Sequence, residues 1–445
     1  MILQQYEHSV ALDLEKCTGC TTCARHCPTE AIRIRDRHAV INAHRCIDCG
    51  VCIGVCPHKA KHATFAPLGA MDTYRYKIAL PAPSLYGQIS GVDDIDYIIQ
   101  GLYDLGFDDV YEVAAAAELV SAYTRMYLET PGIKKPVISS ACPAVVRLIS
   151  IRFPFLRDNI MPMLPPMEIA ATMARRRAKE KNPGLTDAQI GVCFISPCPA
   201  KVSYVKNGFG SYRSQIDVVV SMADVYFALL RVMKREATPN HACASGSLGV
   251  GWASSGGEST AIFNDKYLAT DGIENVVRVL DQIENGNIQG LEFIELNACP
   301  GGCVGGVLTV ENPFIAKARI LSLRRYLPIR QNAPRREESY VPVEFFFDGF
   351  PAYTPMSRLA DNLGQSMQLM ARIEQLHRSL PGIDCGACGA PNCRAFAEDV
   401  VRGQAQPHEC VVAMRQTIQT YAEQMQLSQP CTPPPQEQPK KEDLP

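Results

Sequence analysis

The sequence has almost no net charge and no long hydrophobic run. Lys plus Arg number 44 and Asp plus Glu number 46, so the overall charge favours neither nucleic acid nor an anionic membrane surface. No apolar stretch is long enough to span a membrane, and the start MILQQYEHSV lacks the basic and apolar segments of a signal peptide. We therefore expect a cytoplasmic protein that binds no nucleic acid and no membrane. Its 445 residues are enough for more than one domain.

Cysteine, by contrast, is abundant, since the chain has 19 of them. The cytosol keeps thiols reduced, so metal or redox chemistry explains these cysteines better than disulfides do. Residues 17–27 (CTGCTTCARHC) and residues 46–56 (CIDCGVCIGVC) share the spacing C-x2-C-x2-C-x3-C, and each block is followed by proline. This doubled spacing is that of two-cluster bacterial ferredoxins, in which the fourth cysteine of each block ligates the other cluster.

The crossover pattern divides the eight N-terminal cysteines into two sets. We assign one 4Fe-4S cluster to Cys17, Cys20, Cys23 and Cys56, and the other to Cys46, Cys49, Cys52 and Cys27. Two zinc knuckles are the alternative. Residues 1–65 are thus predicted to form an α+β ferredoxin-like domain that carries electrons and performs no substrate chemistry.

From about residue 76, short apolar runs alternate with amphipathic helical stretches. The predicted strands are residues 76–80, 136–139, 190–196, 217–220 and 291–296. The helical stretches between them include residues 92–106, 143–153, 222–233 and 272–286. This alternation predicts an α/β domain with a largely parallel sheet, whose ligands bind beyond the carboxyl ends of the strands.

Three further cysteines share one construction, a strand followed by Cys-Pro. They are Cys142, Cys198 and Cys299, each followed directly by proline. Proline suits the first turn of a helix, so we expect each thiolate near a helix start, where free amides favour an anionic cluster. Cys303 lies in the adjoining glycine-rich turn, so three loops would together supply four thiolates for a cubane.

These three loops resemble the signature loops of the FeFe hydrogenases. The matching segments are SSACPAVVRLI, FISPCPAK and ELNACPGGCVGG, in the family's order, and the resemblance covers roughly residues 78–320 within a predicted domain of residues 76–320. It implies that Cys142, Cys198, Cys299 and Cys303 hold the 4Fe-4S half of an H-cluster. Cys303 would also bridge to a diiron unit that carries CO, cyanide and an azadithiolate.

The resemblance also assigns residues around the diiron unit. Lys201 matches the family lysine that donates to a cyanide, a charge-assisted hydrogen bond. The segment Ala82-Pro83-Ser84 resembles the one that lies near the other cyanide. A solvated surface lysine and an ordinary helix cap are the alternatives for Lys201 and Ser84. The glycines Gly301, Gly302, Gly305 and Gly306 would let the backbone approach the cofactor.

The sequence departs from the high-turnover members of this family at several positions. Those members have a proton-carrying cysteine immediately before the first ligand, where this chain has Ala141. A methyl group exchanges no proton, and loss of one positioned proton-transfer group costs about 10² to 10⁴ in rate. Ser196 and Asn297 stand where the prototype has methionines, and residues 165–167 read Pro-Pro-Met where it has Ser-Pro-Gln.

These departures are similar to those found in the sensory branches of the family. The C-terminal cysteines indicate which of these branches the chain resembles. Cys385, Cys388, Cys393 and Cys410 have the spacing C-x2-C-x4-C-x16-C. It is similar to the 4Fe-4S domain of corrinoid iron-sulfur proteins and Rnf-type electron carriers, and it indicates the branch called group D. Zinc is the alternative. We place a small helical cluster domain at residues 380–411, after a linker and helix at 321–379 and before a disordered tail at 429–445.

Other features carry weaker predictions. Leu359, Leu363, Met367, Met370, Ile373 and Leu376 form a helical stripe, which core packing or a subunit contact would explain. We expect Cys193 to be a core residue and Cys431 to have no cluster role. Cys243, near His241, is either a packed thiol or a substitute proton group.

The resulting hypothesis is a protein with three 4Fe-4S clusters and an H-cluster, matured by hydrogenase maturases in an oxygen-free cell. It would interconvert H2 with protons and electrons slowly, with Cys303, Lys201, Ser84 and Ala141 at the reaction site, and serve as a sensor. Its partners would be a redox carrier or a signalling protein, with a homodimer possible. The alternatives are a metabolic hydrogenase coupled to a carrier, and an electron-transfer or cluster-assembly protein that lacks the diiron unit.

Overall fold

The computed structural model describes residues 6–208, 212–233, 238–334, 340–347, 349 and 359–424. The chain divides into two compact units, Met1–Arg358 and Leu359–Pro445. Cys431 and the predicted tail lie outside the described residues. No helix in the described part of the chain is long and apolar enough to cross a membrane.

The N-terminal domain is built from two short antiparallel ribbons and two single-turn helices. Its elements are β1 (Val10–Leu12), α1 (Thr22–Arg25), β2 (Ile32–Arg35), β3 (His38–Ile41), α2 (Val51–Gly54) and β4 (Lys61–Ala63). Strand β1 pairs with β4, and β2 pairs with β3. A small core of Cys23, Ala24, Ile32 and Ala39 fills the space between them. This is the α+β domain that the doubled cysteine motif predicts.

The central domain contains two separate parallel sheets, with helices before and after the strands. Its elements are β5 (Tyr76–Pro81), α3 (Asp96–Asp104), β6 (Asp109–Val110), α4 (Val113–Leu128), β7 (Val137–Ile138), α5 (Pro143–Arg152), α6 (Pro166–Lys181), β8 (Ile190–Ser196), α7 (Pro199–Asn207), β9 (Val218–Ser221), α8 (Met222–Val232), α9 (Ser247–Gly251), α10 (Gly257–Ile262), β10 (Tyr267–Asp271), α11 (Ile273–Glu284), β11 (Phe293–Asn297) and α12 (Pro313–Arg324). One sheet has the order β6-β5-β8-β9 and the other β10-β11-β7. All strand pairs in both sheets are parallel. The predicted α/β class is confirmed.

The apolar patterns located the central strands to within two residues. Strand β8 coincides with the predicted run, and every residue in it is buried, as expected for a parallel strand covered on both faces. Two strands escaped prediction. Strand β6 has only two residues, and β10 is only half-buried and contains polar residues, so neither has a continuous apolar run.

Two of the three Cys-Pro junctions begin helices as predicted, and the third does not. Helices α5 and α7 start at the prolines that follow Cys142 and Cys198. After Cys299, however, the chain forms a turn and then a single 3-10 turn at Cys303–Gly305. Gly301 and Gly302 have φ values of 77° and 93° there, in the left-handed region that a right-handed helix excludes. The expected helix start at Cys299 is therefore wrong.

The described part of the second unit, residues 359–424, contains three α-helices, α13 (Leu363–Ser379), α14 (Cys393–Val401) and α15 (Val411–Gln424). The side chains of Asn362 and Asn392 cap the first two by accepting from backbone amides. Core packing does not explain the apolar stripe of α13 as a whole. Ile373 is buried, whereas Leu363 is 78% exposed and Met367 is 65% exposed. A subunit contact at this stripe stays a prediction.

Candidate functional site

The structure arranges the eight N-terminal cysteines around two cavities. Cys17, Cys20, Cys23 and Cys56 line one of them, called here the outer cysteine cavity. Cys27, Cys46, Cys49 and Cys52 line the other, called the inner cysteine cavity. The two groups are those that the crossover motif predicts, and ligation of iron by them stays a prediction. Burial raises the pKa of Cys52 to about 12, with Cys27 adding to the effect, so its thiolate needs a compensating positive centre such as iron.

The four cysteines of the three central loops come together as well. Burial raises the pKa of Cys299, and the nearby Cys198, Cys142 and Cys303 raise it further. Burial also raises the pKa of Cys198 to about 11, an effect that the positive charge of Lys201 opposes. The four thiols lie in the loops that follow β7, β8 and β11, close enough to act on one another. This donor set suits an iron-sulfur cubane.

Lys201 lies among these cysteines and is not a surface lysine. It is only 9% exposed, and its Nζ is 3.6 Å from the Cys303 sulfur. Burial alone would lower the pKa of Lys201, but the four cysteines, Cys303 foremost, raise it above its ordinary value. With the four cysteines as thiolates, the form that ligates iron, the ammonium would stay charged, and a buried charge of this kind needs an anionic partner.

Beside Cys303 is a cavity of about 620 Å³, part of it open to solvent, called here the central cavity. Lys201 and Cys142 line it together with Ala82, Pro83, Ala141, Pro165, Pro166, Met167, Glu258, Glu295 and Asn297. Ser84 is not among the lining residues. Its hydroxyl donates to the Met222 sulfur at 3.9 Å, and it lies inside a 3-10 turn, so it is not the helix cap either.

The glycines of the ACPGGC loop make room for protein backbone. A Cβ atom at Gly302 would lie 2.5 Å from the Ser255 amide nitrogen, and one at Gly306 would overlap the Pro197 carbonyl oxygen. Close packing of the loops onto one another therefore already requires these glycines. Contact of Gly301 and Gly302 with a cofactor remains a prediction.

Two buried carboxylates at the central cavity were not predicted from sequence. Glu258 accepts hydrogen bonds from the Ser139 hydroxyl at 2.8 and 2.7 Å. Glu295 accepts from the Asn297 side chain and from the Gly256 amide, both at 2.9 Å. Burial raises the pKa of Glu258, and the charge of Glu295 raises it further. The Glu258 carboxyl group at this cavity therefore binds a proton more tightly than an exposed glutamate does.

The remaining predicted cysteines lie outside this cavity lining. Cys193 is fully buried in β8, as expected for a core residue. The Cys243 sulfur is 3.1 Å from a Glu112 oxygen, which also accepts from the Tyr86 hydroxyl at 2.9 Å. Burial, followed by the charge of Glu112, raises the pKa of Cys243. A packed thiol describes this geometry better than a proton group of the central cavity.

The C-terminal cysteines are grouped loosely in the second unit. Cys410 is buried in a small core with Ala390 and Phe396, and Cys388 packs against that core. Burial raises the pKa of Cys388, with smaller contributions from Cys410 and Cys385. Cys393 begins α14. In the described part of the chain, no three His, Cys, Asp or Glu side chains are placed as ligands of a single metal ion.

The N-terminal and central domains meet at Arg147, on the helix that follows Cys142. Its guanidinium donates to the Cys46 carbonyl at 2.6 Å and to two further carbonyls of the same loop, and it stacks over the Tyr6 ring at 3.4 Å. Nearby, the Cα of Gly50 approaches Val307 so closely that a Cβ would lie 2.7 Å from a Val307 methyl carbon. The inner cysteine cavity therefore adjoins the loop of Cys303.

Comparison with known protein families agrees with this arrangement. A model described as "Iron only hydrogenase large subunit, C-terminal domain" matches residues 75–264 and 257–307, which is more than half of the chain. The chain therefore belongs to the iron-only hydrogenase large-subunit family. A model described as "4Fe-4S dicluster domain" matches residues 9–57, and one described as "Putative Fe-S cluster" matches residues 380–412.

The individual relatives are distant. The periplasmic [Fe] hydrogenase large subunit of Nitratidesulfovibrio vulgaris is 23% identical over 364 residues, covering 67% of this chain and 86% of that protein. The NADP-reducing hydrogenase subunit HndD of Solidesulfovibrio fructosivorans is 23% identical over 384 residues, covering 67% of this chain and 64% of that protein. One component of an ion-translocating oxidoreductase complex of Methanosarcina acetivorans is 43% identical over 44 residues, which is 10% of this chain and 17% of that protein. Among solved structures, the [FeFe]-hydrogenase HydA1 variant E141A of Chlamydomonas reinhardtii has a TM-score of 0.46 at 16% identity, covering 60% of this chain and 87% of that one.

Proposed function

We propose that this chain interconverts H2 with protons and electrons at an H-cluster, slowly, and that it serves mainly as a sensor of H2 or redox state. The observation that carries the proposal is the central cavity, where two members of the cysteine tetrad, Cys142 and Cys303, meet the Lys201 ammonium and the buried carboxyl groups of Glu258 and Glu295. The donor set fits the cofactor: four thiols suit a cubane, and the cavity beside Cys303 leaves space for a diiron unit.

When bound, the H-cluster supplies the iron centre at which H2 is split or formed, and the rest of the proposal concerns the protein. Cys142, Cys198, Cys299 and Cys303 would hold the cubane, and Cys303 also borders the cavity. Lys201 keeps a positive charge there because its cysteine neighbours raise its pKa. Such a desolvated ammonium would orient an anionic ligand such as cyanide by a charge-assisted hydrogen bond.

The protons require groups other than residue 141. Ala141 lines the cavity but can hold no proton. Glu258 and Glu295 line the same cavity, and burial raises the pKa values of both carboxyl groups. We therefore assign proton storage to the Glu258 carboxyl, which the Ser139 hydroxyl orients. Since a carboxyl group of raised pKa releases its proton slowly, this route favours slow turnover.

The electrons would travel through the N-terminal domain. The inner cysteine cavity adjoins the Cys303 loop through Gly50 and Val307, and Arg147 ties its Cys46 loop to the helix that begins at Cys142. A cluster there would relay electrons between the H-cluster and the outer cysteine cavity. The cysteines of residues 380–411 would hold a further 4Fe-4S cluster, at which a redox carrier or signalling partner could exchange electrons.

The sensory assignment to group D rests on two features together. Ala141 removes the fast proton route that metabolic members have, and the C-terminal cysteine motif adds a cluster that catalysis itself does not require. We expect the protein to act in the cytoplasm of an anaerobic cell, after maturation by hydrogenase maturases.

Infrared spectroscopy of the anaerobically matured full chain tests the proposal. We expect intrinsic CO and cyanide bands that shift when H2 is added, because both ligands report the electron density at iron. Absence of the bands despite full cubane loading would refute the H-cluster, and an electron-transfer or assembly role would then be the better account. Bands with turnover as high as that of metabolic hydrogenases would refute the sensory part alone.

A further inference from the structure

Lys61 is a buried lysine whose ammonium has no hydrogen-bond partner among the described residues. The residue is 3% exposed, and Nζ has no hydrogen-bond partner in the part of the chain that the structure describes. Lys61 also forms no ion pair with a described carboxylate. An ammonium has three donors, and burying it without an acceptor is strongly unfavourable. An isolated buried lysine of this kind implies an anionic group that the protein itself does not supply.

The internal repeat of the N-terminal domain shows that a lysine is not required at this position for folding. In the first half, Cys27 Sγ accepts from the Ala31 amide at 3.2 Å, and in the second half Cys56 Sγ accepts from the Ala60 amide at 3.3 Å. The residue before each alanine has a left-handed φ, 50° in one half and 49° in the other.

The residues that follow the two alanines are therefore equivalent, and they are Ile32 and Lys61. Both are buried, at 2% and 3% exposure. Both also begin strands, β2 and β4. An apolar side chain fills the position in one half of the domain, so core packing alone does not explain a lysine in the other half.

The residues around Lys61 indicate which anionic group would balance its charge. Lys61 lines the outer cysteine cavity with Cys17, Cys20, Cys23 and Cys56. It is the one lysine, arginine or carboxylate among the lining residues of that cavity. Lys61 thus lines the same space as the four predicted ligands of the outer cluster, and its charge also acts on Cys52 of the inner cysteine cavity.

We propose that the Lys61 ammonium is the counter-charge of the 4Fe-4S cluster in the outer cysteine cavity. Its positive charge raises that cluster's reduction potential. Reduction adds one electron and makes the cluster with its thiolates one charge more negative. A fixed positive charge at short range in a poorly polar site stabilises that reduced form more than the oxidised form. The outer cluster then retains electrons more strongly than it would with an isoleucine at residue 61.

This inference rests on the cluster assignment in the N-terminal domain but not on the H2 chemistry. The test is an EPR-monitored redox titration of the full chain, loaded with its cubanes and lacking the diiron unit. We expect Lys61→Met to lower the reduced-to-oxidised ratio of one cluster at least tenfold at a fixed ambient potential, which is about 59 mV for a one-electron couple. Lys61→Arg should keep the wild-type potential, and the matched control Ile32→Met in the other half should shift it little.

Two outcomes would contradict this inference in different ways. A fully loaded Lys61→Met protein with unchanged potentials would overturn the role of Lys61 while leaving the clusters in place. A wild-type chain that binds no cubane in residues 1–65 would instead overturn the cluster assignment, and with it this inference.

If Lys61→Met does not retain its cluster, the wild-type protein still allows a test of whether the Lys61 ammonium contacts the cluster. With lysine labelled by ¹⁵N at Nζ alone, pulsed EPR of the reduced N-terminal cluster should show a weak nitrogen coupling. The coupling should disappear in labelled Lys61→Arg, whereas any coupling from Lys201 should remain. No difference between these two samples would show that the ammonium does not contact the cluster.

Discussion

The outer cysteine cavity and the central cavity are both lined by cysteines, but they are built in different ways. The outer one takes all of its cysteines from residues 17–56, whereas the cysteines of the central site come from three loops between residues 142 and 303. Sequence spacing fixes the first arrangement, and the close packing of two parallel sheets and their loops fixes the second. Ligands that lie within one motif can be predicted from their spacing. Ligands from separate loops come together only when the whole domain folds, so spacing does not predict them.

The two cavities also differ in their ionisable residues. The lining of the outer cavity includes Lys61 but no carboxylate, which suits a site that handles electrons alone. The lining of the central cavity includes Lys201, Glu258 and Glu295. Since a reaction of H2 moves protons as well as electrons, carboxyl groups of raised pKa are the expected addition at such a site.

The largest expected effect comes from separating the loops of the composite site. Gly306→Ala places a methyl group against the Pro197 carbonyl oxygen, so the loop of Cys303 must move away from the loop of Cys198. Overpacking of this kind costs about 1–3 kcal/mol. We expect iron at the central site and H2 turnover to be lost, while both N-terminal clusters remain.

Iron content and EPR of the cubanes measure this outcome. Gly184→Ala is the matched control, because a Cβ at Gly184 would meet nothing within 4 Å. Full central loading in Gly306→Ala would show that the three loops are held together less tightly than their backbone contacts indicate.

The next largest effect is expected at the carboxylates. Glu258→Gln keeps the shape and a hydrogen bond to Ser139 but removes the titrating proton, so turnover should fall by about 10² to 10⁴. H2 uptake by the matured enzyme measures this, with intact infrared bands showing that the cofactor is still bound. Glu118→Gln is the control, since Glu118 is also buried but anchors the amides of Gly246, Gln331 and Asn332. Equal losses in both variants would indicate a folding defect.

The same substitution should change how stability depends on pH. Burial and the charge of Glu295 raise the pKa of Glu258 above the ordinary 4.5. Between 4.5 and the raised pKa, the folded chain binds a proton that the unfolded chain has released, so wild-type stability falls as pH rises. Glu258→Gln removes this loss. We expect the difference in unfolding temperature between Glu258→Gln and wild type to grow as the pH rises above 4.5, and a constant difference would contradict the raised pKa.

The same contrast explains how much could be predicted from sequence. Spacing located the eight cysteines of the N-terminal cavities, and Cys-Pro after apolar runs located three of the central ones. The period of the apolar residues also predicted strands such as β8 and helices such as α11, whose Ile273, Val276, Leu280 and Ile283 form its buried face.

The remainder depended on contacts between distant segments. Glu258 stands in SSGGEST, which has no motif, and it becomes significant only because Ser139 and Glu295 lie beside it in the fold. A role for Lys61 could not be predicted from sequence for a related reason. A lysine in a short strand is normally solvated, and only its burial next to the cysteines is unusual. The glycine turn was predicted to face a cofactor, but backbone atoms of neighbouring loops already account for Gly302 and Gly306.

A smaller effect is expected where the two regions meet. Arg147→Met leaves the Cys46 carbonyl and its neighbours without their charged donor, so the free energy of unfolding should fall by about 2–4 kcal/mol. Electron transfer from a reduced carrier to the central cubane should also slow, which rapid-freeze EPR can follow. Arg152→Met, which removes one exposed bond to the Pro28 carbonyl, should change either quantity little. Equal effects of the two variants would show that Arg147 is not the principal tie.

The smallest effect is expected from restoring a thiol at residue 141. Ala141→Cys adds a group to the lining of the central cavity whose ordinary pKa is near 8.5, close enough to neutrality to exchange protons. Because the Ser139 hydroxyl already donates to Glu258, it cannot also donate its proton to the new thiol. We expect turnover to rise by less than about tenfold, with a change in its pH profile, when H2 evolution is measured from pH 5 to pH 9. A rise of about 10² or more would show that a missing group at residue 141, and not release of the proton from Glu258, limits the reaction.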